Sequence, residues 1–235
     1  MSESEILNYK YNFKFKNGME KEFDVKLDAE TLNLIIDRKD SYAPWTELKN
    51  FRCPCCPLDE SKHKYCPVIT NLLDVIGYFK DSISYEEAEI KIQTADRTYI
   101  KNTSLQNGLN SLIGIYMPTS GCPLLGKLKP MVRFHLPFAT LDETNFRMVS
   151  MYLFAQYFIF KKSDKAPDWE LRDLVKIYND IRQVNKNFCD KLSDLKVKDA
   201  AINALVTLDC FAFSVSYSID TFKLNKIEQL FNEYL

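Results

Sequence analysis

The stretch LNYKYNFKFKNGMEKEFDVKLD, residues 7–28, leaves little freedom in how this chain starts. Leu7, Tyr9, Tyr11, Phe13 and Phe15 alternate with polar residues, and Phe23, Val25 and Leu27 alternate back after Asn17-Gly18. A period of two puts every large side chain on one face of a strand. Asn-Gly between two such runs is a hairpin turn signal. The result is a two-stranded ribbon with one greasy face, and that face must be covered by other elements.

The chain then supplies the cover. DAETLNLII predicts a short helix, and WTELKNF (45–51) predicts a third strand. Pro67 opens VITNLLDVIGYF, whose apolar residues recur at helical spacing, and proline suits the first helical position. EEAEIKIQTADRTYIKNT predicts a second hairpin turning at Ala95-Asp96. SLQNGLNSLIGIYM predicts a helix with Ser104 as N-cap, ending at Pro118. From about 140 the period becomes 3.6. Thr140 and Glu143 form a capping box before NFRMVSMYLFAQYFIF. Leu171, Leu174, Tyr178, Ile181, Asn185, Phe188, Leu192 and Leu195 form a seam spaced three and four apart. Helices over 199–218 and 222–234 complete the pattern. The fold class is therefore α+β: a mostly antiparallel N-terminal sheet with helices, packed on a C-terminal antiparallel bundle of about four helices. The division falls into 1–135, which carries the cysteine cluster, and 136–235, and the segment KLKPMVRFHLPFA between them reads as packed rather than flexible.

Composition narrows the function classes. Lys and Arg total 31 against 32 Asp and Glu, and neither half is polarised. A broad basic face for nucleic acid is disfavoured. MSESEILNYKY has no basic segment followed by an apolar one, so it does not read as a signal peptide. The apolar run AAINALVTLDCFAFSVSYSI, residues 200–219, carries Asp209 at its centre, at a cost of about 2.5–3.5 kcal/mol for membrane insertion. It reads as a buried helix. The expected setting is the cytoplasm, where thiols stay reduced, and an odd total of seven cysteines suits a disulfide framework poorly.

Four of those cysteines precede proline: Cys53, Cys56, Cys66 and Cys122. Cys53 and Cys56 form a C-x-x-C pair, which lets two thiolates converge on one ion. Two more thiolates complete a tetrahedral set suited to zinc or to a 4Fe–4S cluster. Proline after the ligand fixes φ and lowers the entropy lost when the site closes. At Cys66 it also sets the thiol at a helix N-terminus, where the dipole favours thiolate. Zinc is favoured, because cluster ligands sit in tighter runs than C-x-x-C-x9-C with a distant fourth. Cys55 and His63 are rivals to Cys122 as fourth ligand. Cys55 adjoins Cys56 and so points elsewhere, and His63 lies between lysines. Cys189 and Cys210, each alone in a helix, read as small buried hydrophobes.

Other polar groups stand where they invite explanation. Lys127, Lys129, Arg133 and His135 follow Cys122 closely, and could line an anion pocket or be solvated, with His135 partly buried. A Cys122–His135 nucleophile pair has no third group in the sequence to support it. Asn185 on the apolar seam and Asp209 in the apolar helix should hydrogen-bond inside the bundle or line a pocket. Tyr152, Phe154, Tyr157, Phe158 and Phe160 go right round their helix, which predicts burial on most sides, in the core or between copies. No nucleotide-binding glycine pattern, H-E-x-x-H or nucleophile elbow is present.

Taken together, CPCCPL, YCPV, TSGCP and RFHLPFAT resemble the pattern of an uncharacterised bacterial family, a domain of unknown function with C-P-x-C-P-L, C-P-V and S-G-C-P motifs. The resemblance covers most of the chain. It implies the same four cysteines, leaves Cys55 as the variable residue between two of them, and brings no activity with it. The expected function is that of a cytosolic protein with a four-cysteine metal site, structural or regulatory through a protein partner, self-association or redox sensing, with no membrane and no nucleic acid involved. The competing expectation is an enzyme acting on a small anionic substrate near Lys127, Lys129, Arg133 and His135.

Overall fold

A computed structural model describes residues 5–37, 39–195, 198–220 and 225–235. Strands β1 (Ile6–Phe15) and β2 (Glu20–Asp28) pair antiparallel around the Asn17-Gly18 turn, with Tyr11 opposite Phe23 and Tyr9 opposite Val25. β3 (Glu87–Gln93) and β4 (Thr98–Ser104) form the second hairpin. β3 joins the free edge of β1, so the sheet order is β2-β1-β3-β4, antiparallel throughout. Tyr9, Tyr11, Phe13 and Phe15, with Phe23, Val25, Leu27, Ala88, Ile90 and Ile92, form one buried face. The opposite face carries exposed pairs such as Lys10 and Glu22.

Helices α2 (Pro67–Phe79) and α3 (Leu105–Thr119) help cover the apolar face. α2 buries Val68, Ile69, Leu72, Val75, Ile76 and Phe79, the stripe its spacing predicts. Phe79 sits against the rings of Phe13 and Phe23 at 5.2 and 5.7 Å, and truncating such a residue to alanine costs about 3–5 kcal/mol. α3 approaches the sheet more closely still. A Cβ placed on Gly108 would stand 2.6 Å from Ile90 Cδ1 and 2.8 Å from Phe13 Cε1.

Two expected elements differ. Residues 29–36 are not helical. The Asp28 carboxylate accepts from the Thr31 N–H and hydroxyl at 2.7 Å each, Leu32 takes φ +54°, and Leu34 bridges back to Leu27. An aspartate that captures the backbone in this way competes with helix formation. Residues 45–51 form no strand: a 3-10 turn over Pro44–Thr46 leads into α1 (Leu48–Phe51). Trp45, Leu48 and Phe51 are spaced by three, which is a helical spacing, and Leu48 and Phe51 are both buried. Ser104 holds the N-cap position of α3 without a side-chain cap bond.

After α4 (Lys129–Arg133) come three long helices, α5 (Leu141–Lys162), α6 (Arg172–Asp194) and α7 (Asp199–Asp220). The Thr140–Glu143 capping box is formed in both directions. α6 starts later than its sequence suggests: Leu171 takes φ +61°, and Asp168 accepts from the Asp173 N–H at 2.8 Å in place of a side-chain cap. Its seam buries Leu174, Tyr178, Ile181, Asn185, Phe188 and Leu192, while Leu195 is partly out. α7 packs on both α6 and α3, so one hydrophobic cluster runs from the sheet into the helices. The expected helix over 222–234 is reduced to α8 (Asn225–Glu228) and a 3-10 turn over Gln229–Phe231; its start lies outside the described residues. α5 also departs from expectation. Asn145, Met148, Tyr152 and Gln156 are buried along one narrow stripe, whereas Phe154, Tyr157, Phe158 and Phe160 are exposed. Within one chain α5 meets chiefly α4 and α7, too little surface to cover an all-round aromatic helix.

The close approach at Gly108 gives a sign-specific prediction. Gly to Ala in a helix interior normally stabilises by about 1 kcal/mol. At the exposed Gly77 of α2, where a Cβ meets nothing within 4 Å, Gly77→Ala should show that gain. At Gly108 the overpacking cost of about 1–3 kcal/mol should reverse it. Urea unfolding of both variants checks the pair, and an equal gain at both positions would refute the tight contact.

Candidate functional site

Two neighbouring cavities, lined by separate sets of residues, adjoin the turn that follows α3. The smaller is about 10 Å3, close to the room of a single water-sized atom. Its walls contain Cys53, Cys56, Cys66 and Cys122, together with Phe51, Val184 and Phe188. Four separate devices bring the cysteines there. Cys53 and Cys56 are joined by a turn in which the Cys56 N–H donates to the Cys53 carbonyl at 3.0 Å. Arg52 braces that turn, donating to the Cys56 carbonyl and to Glu60. Cys66 is the N-cap of α2, and its N–H donates to Thr46 O. Cys122 follows Gly121, whose φ of +97° reverses the chain after α3 at no steric cost.

Two of the four Cys-Pro steps have a local explanation. After Cys66-Pro67 the N–H groups of Val68 and Ile69 act on the Cys66 thiol, and after Cys122-Pro123 those of Leu124 and Leu125 act on Cys122. Proline has no N–H and fixes φ, so the next two donors turn back toward the sulfur. Burial nonetheless dominates. It pushes Cys66 up to about 11, and raises Cys53 and Cys122 as well, with neighbouring cysteines adding to the rise. The Asn187 amide of α6 donates to Phe51 O and, at 3.5 Å, to Cys53 Sγ. These thiols are protonated at neutral pH, and a shared cavity wall is a looser arrangement than a coordination sphere. Among the described residues, no group of three or more His, Cys, Asp or Glu side chains stands as a metal-holding cluster.

The rival ligands are placed elsewhere. Cys55 Sγ points at the Asp180 carbonyl, 3.6 Å away on α6, and His63 is exposed. Cys189 is half-buried, but Cys210 is exposed and is not the buried hydrophobe expected of it.

The larger cavity is about 400 Å3, within the range of small-molecule sites. It lies among α3, α4, α5, α6 and α7, with a largely apolar wall that includes Met117, Leu128 and Phe211. At one side Tyr11 Oη, Ser111 Oγ and His135 Nε2 form a hydrogen-bonded triangle with edges of 2.8, 3.0 and 3.2 Å. Burial, helped by the Arg147 charge, lowers the His135 pKa to about 3. An imidazole that protonates only there has too little proton affinity to activate Ser111 as a general base. Arg147 donates from Nη2 to the Met131 and Phe134 carbonyls at 2.9 and 2.6 Å. Among the described residues it has no carboxylate within ion-pair distance.

The basic strip expected around His135 is dispersed. Lys129 donates to Thr31 O and Asn33 Oδ1 at 2.7 Å each, while Lys127 and Arg133 are exposed. Only His135 of the four reaches the cavity. Ser111, Arg147 and Tyr178 are cavity residues that the sequence did not mark as site candidates. Tyr178 is expected only as part of the packing seam, and Tyr11, fully buried on β1, backs the triangle from the sheet.

The thiol environment predicts an order of reactivity. In metal-free protein at pH 7.5, Cys66 with a pKa of about 11 holds roughly two to three orders of magnitude less thiolate than a free cysteine at about 8.5. Iodoacetamide should therefore modify exposed Cys210 first and leave Cys53, Cys66 and Cys122 largely unreacted. Peptide mapping over a time course checks this, and equal rates at Cys66 and Cys210 would contradict the burial.

Neither a curated protein nor a solved structure matches this chain. Among the described residues, no helix is long and apolar enough to cross a membrane. A family profile does match, over residues 9–232, and so takes in the sheet, both cavities and all four Cys-Pro steps. The chain belongs to the family described as Domain of unknown function (DUF6901).

Proposed function

We propose that Cys53, Cys56, Cys66 and Cys122 close on one zinc ion, and that the centre is structural or regulatory rather than catalytic. The observation that carries this reading is that all four cysteines followed by proline wall one atom-sized cavity. Cys55, Cys189 and Cys210, which lack the proline, do not line it. All seven cysteines are unpaired, so no disulfide competes for the four. When bound, zinc supplies a redox-inert tetrahedral cross-link. The residues do the rest. The N–H groups after Pro67 and Pro123 favour thiolate at Cys66 and Cys122, and Asn187 donates to the Cys53 sulfur. Four thiolates leave no open coordination position, which is the pattern of a structural site. Such a centre would pin the 51–67 loop, the start of α2 and the end of α3 against α6. It would thereby become sensitive to a partner or an oxidant that reaches the loop. Zinc suits the cavity better than a cluster does, because about 10 Å3 is room for one ion and not for a cube of irons and sulfides.

Because burial keeps Cys53, Cys66 and Cys122 protonated, binding releases protons and affinity should rise with pH. The sign reverses without metal. A thiol whose folded pKa is raised loses its contribution as pH climbs from the unfolded value of about 8.5 toward about 11. The metal-free protein should therefore weaken over that window.

Elemental analysis of anaerobically purified protein tests the proposal. The expected result is colourless protein with about one zinc per chain. At about a thousand times its Kd, zinc would add about 4 kcal/mol, which chelation should remove. Cys53→Ser and Cys122→Ser should lose zinc, while Cys55→Ser and Cys210→Ser keep it. Brown protein with iron and sulfide would replace zinc by a cluster, and metal-free protein that gains nothing from added zinc would end the reading.

A further inference from the structure

We propose that the 400 Å3 cavity binds a small organic acid, an apolar body ending in a carboxylate, with Arg147 and Asn185 holding the carboxylate. The argument begins with Asn185. It is 2% exposed and lies on the apolar seam of α6. Its side chain makes no hydrogen bond to any described residue, and it lines the cavity. Its amide atoms are not sealed from the cavity, so this unpartnered amide on an apolar seam is a group open to a ligand in that volume.

Charge selects the ligand class. Among the described residues, the charged ones in the cavity wall are Lys101 and Arg147, both cationic, and no Asp or Glu joins them. Arg147 uses only Nη2 for the Met131 and Phe134 carbonyls. Those bonds anchor the guanidinium and leave Nη1 and Nε without carboxylate partners. Burial depresses its pKa from the ordinary value, yet arginine remains charged at neutral pH. A half-buried, anchored guanidinium without a carboxylate suits the planar oxygens of an acid. Lys101 sits at the exposed rim, 5.6 Å from the Phe138 ring centre, where it would favour entry of an anion. His135, neutral in its triangle with Tyr11 and Ser111, adds hydrogen-bonding capacity without opposing charge. The remaining wall is mostly aliphatic and aromatic, which asks for an apolar body rather than for inorganic phosphate.

This proposal uses none of the four cysteines, so it stands or falls separately from the zinc reading. The test is calorimetric titration of the full-length protein, as purified, with octanoate and with 3-phenylpropionate, against octan-1-ol and inorganic phosphate as controls. At least one of the two acids should bind at one site per chain, about tenfold or more tighter than either control. Asn185→Asp, which sets a second carboxylate beside the first, should weaken acid binding about ten- to hundredfold, the range of a hydrogen bond to a charged group. Asn185→Leu guards against a fold defect. It should keep the thermal midpoint, lose the acid and retain or improve octan-1-ol binding. Failure of both acids to bind, octan-1-ol binding as tightly as octanoate, or acid affinity unchanged in both Asn185 variants would each overturn the proposal.

Discussion

The placing of most residues around the two cavities depends on how closely α3 can lie on the sheet. Gly108 permits that approach, because any side chain there would run into Ile90 and Phe13. Once α3 is seated, its other surfaces are fixed in space. Ser111, one turn further on, reaches Tyr11 of β1 and His135. Gly114 and Met117 help wall the larger cavity, and Gly121 just beyond the helix turns Cys122 toward the smaller one. Packing at protein interior density does not bend continuously, so a displaced α3 would disturb both cavities together.

The sheet was legible because its signals are local. Alternation in β1 and β2 and the Asn-Gly turn specify a hairpin without reference to anything distant, and the capping box of α5 is equally self-contained. The errors fell where a local signal competed with another. Asp28 captures Thr31 and defeats the helix suggested by TLNLII. Trp45, Leu48 and Phe51 are three apart, a helical spacing that prevails over the strand expected at 45–51. At the cysteines, proline marked the four that line one small cavity, and at Cys66 and Cys122 its effect is exerted on the next two N–H groups. That Cys122 joins a loop more than fifty residues earlier is a tertiary fact that no local pattern encodes. The larger cavity was mostly illegible for the same reason. Arg147 and Tyr178 acquire meaning only when α5 and α6 are brought to the same space. Asn185, a polar residue on an apolar seam, and His135, a histidine between Phe134 and Leu136, were the exceptions.

The two cavities are not independent volumes. Leu124 walls the smaller and Leu125 the larger, directly after the Cys122-Pro123 step. On α6, Val184 faces the cysteines while Asn185 faces the larger space, and Asn187, about one turn on from Val184, donates to the Cys53 sulfur. Any contraction of the cysteines about an ion would pull on Leu124 and on the neighbouring turn of α6. It would act on Leu125 and Asn185 from behind. Coupling between sites requires a shared element whose arrangement both ligands bias, and here that element is short: two adjacent residue pairs on two segments. A metal centre in this position would therefore do more than tie a loop down. By holding the Cys122 turn and α6 in one relation, it would set the shape of the cavity in which Asn185 and Arg147 lie. On the two proposals together, the sheet and α3 would form the rigid side of the fold, and a metal-bound cysteine cluster would govern the shape of the binding space on the other.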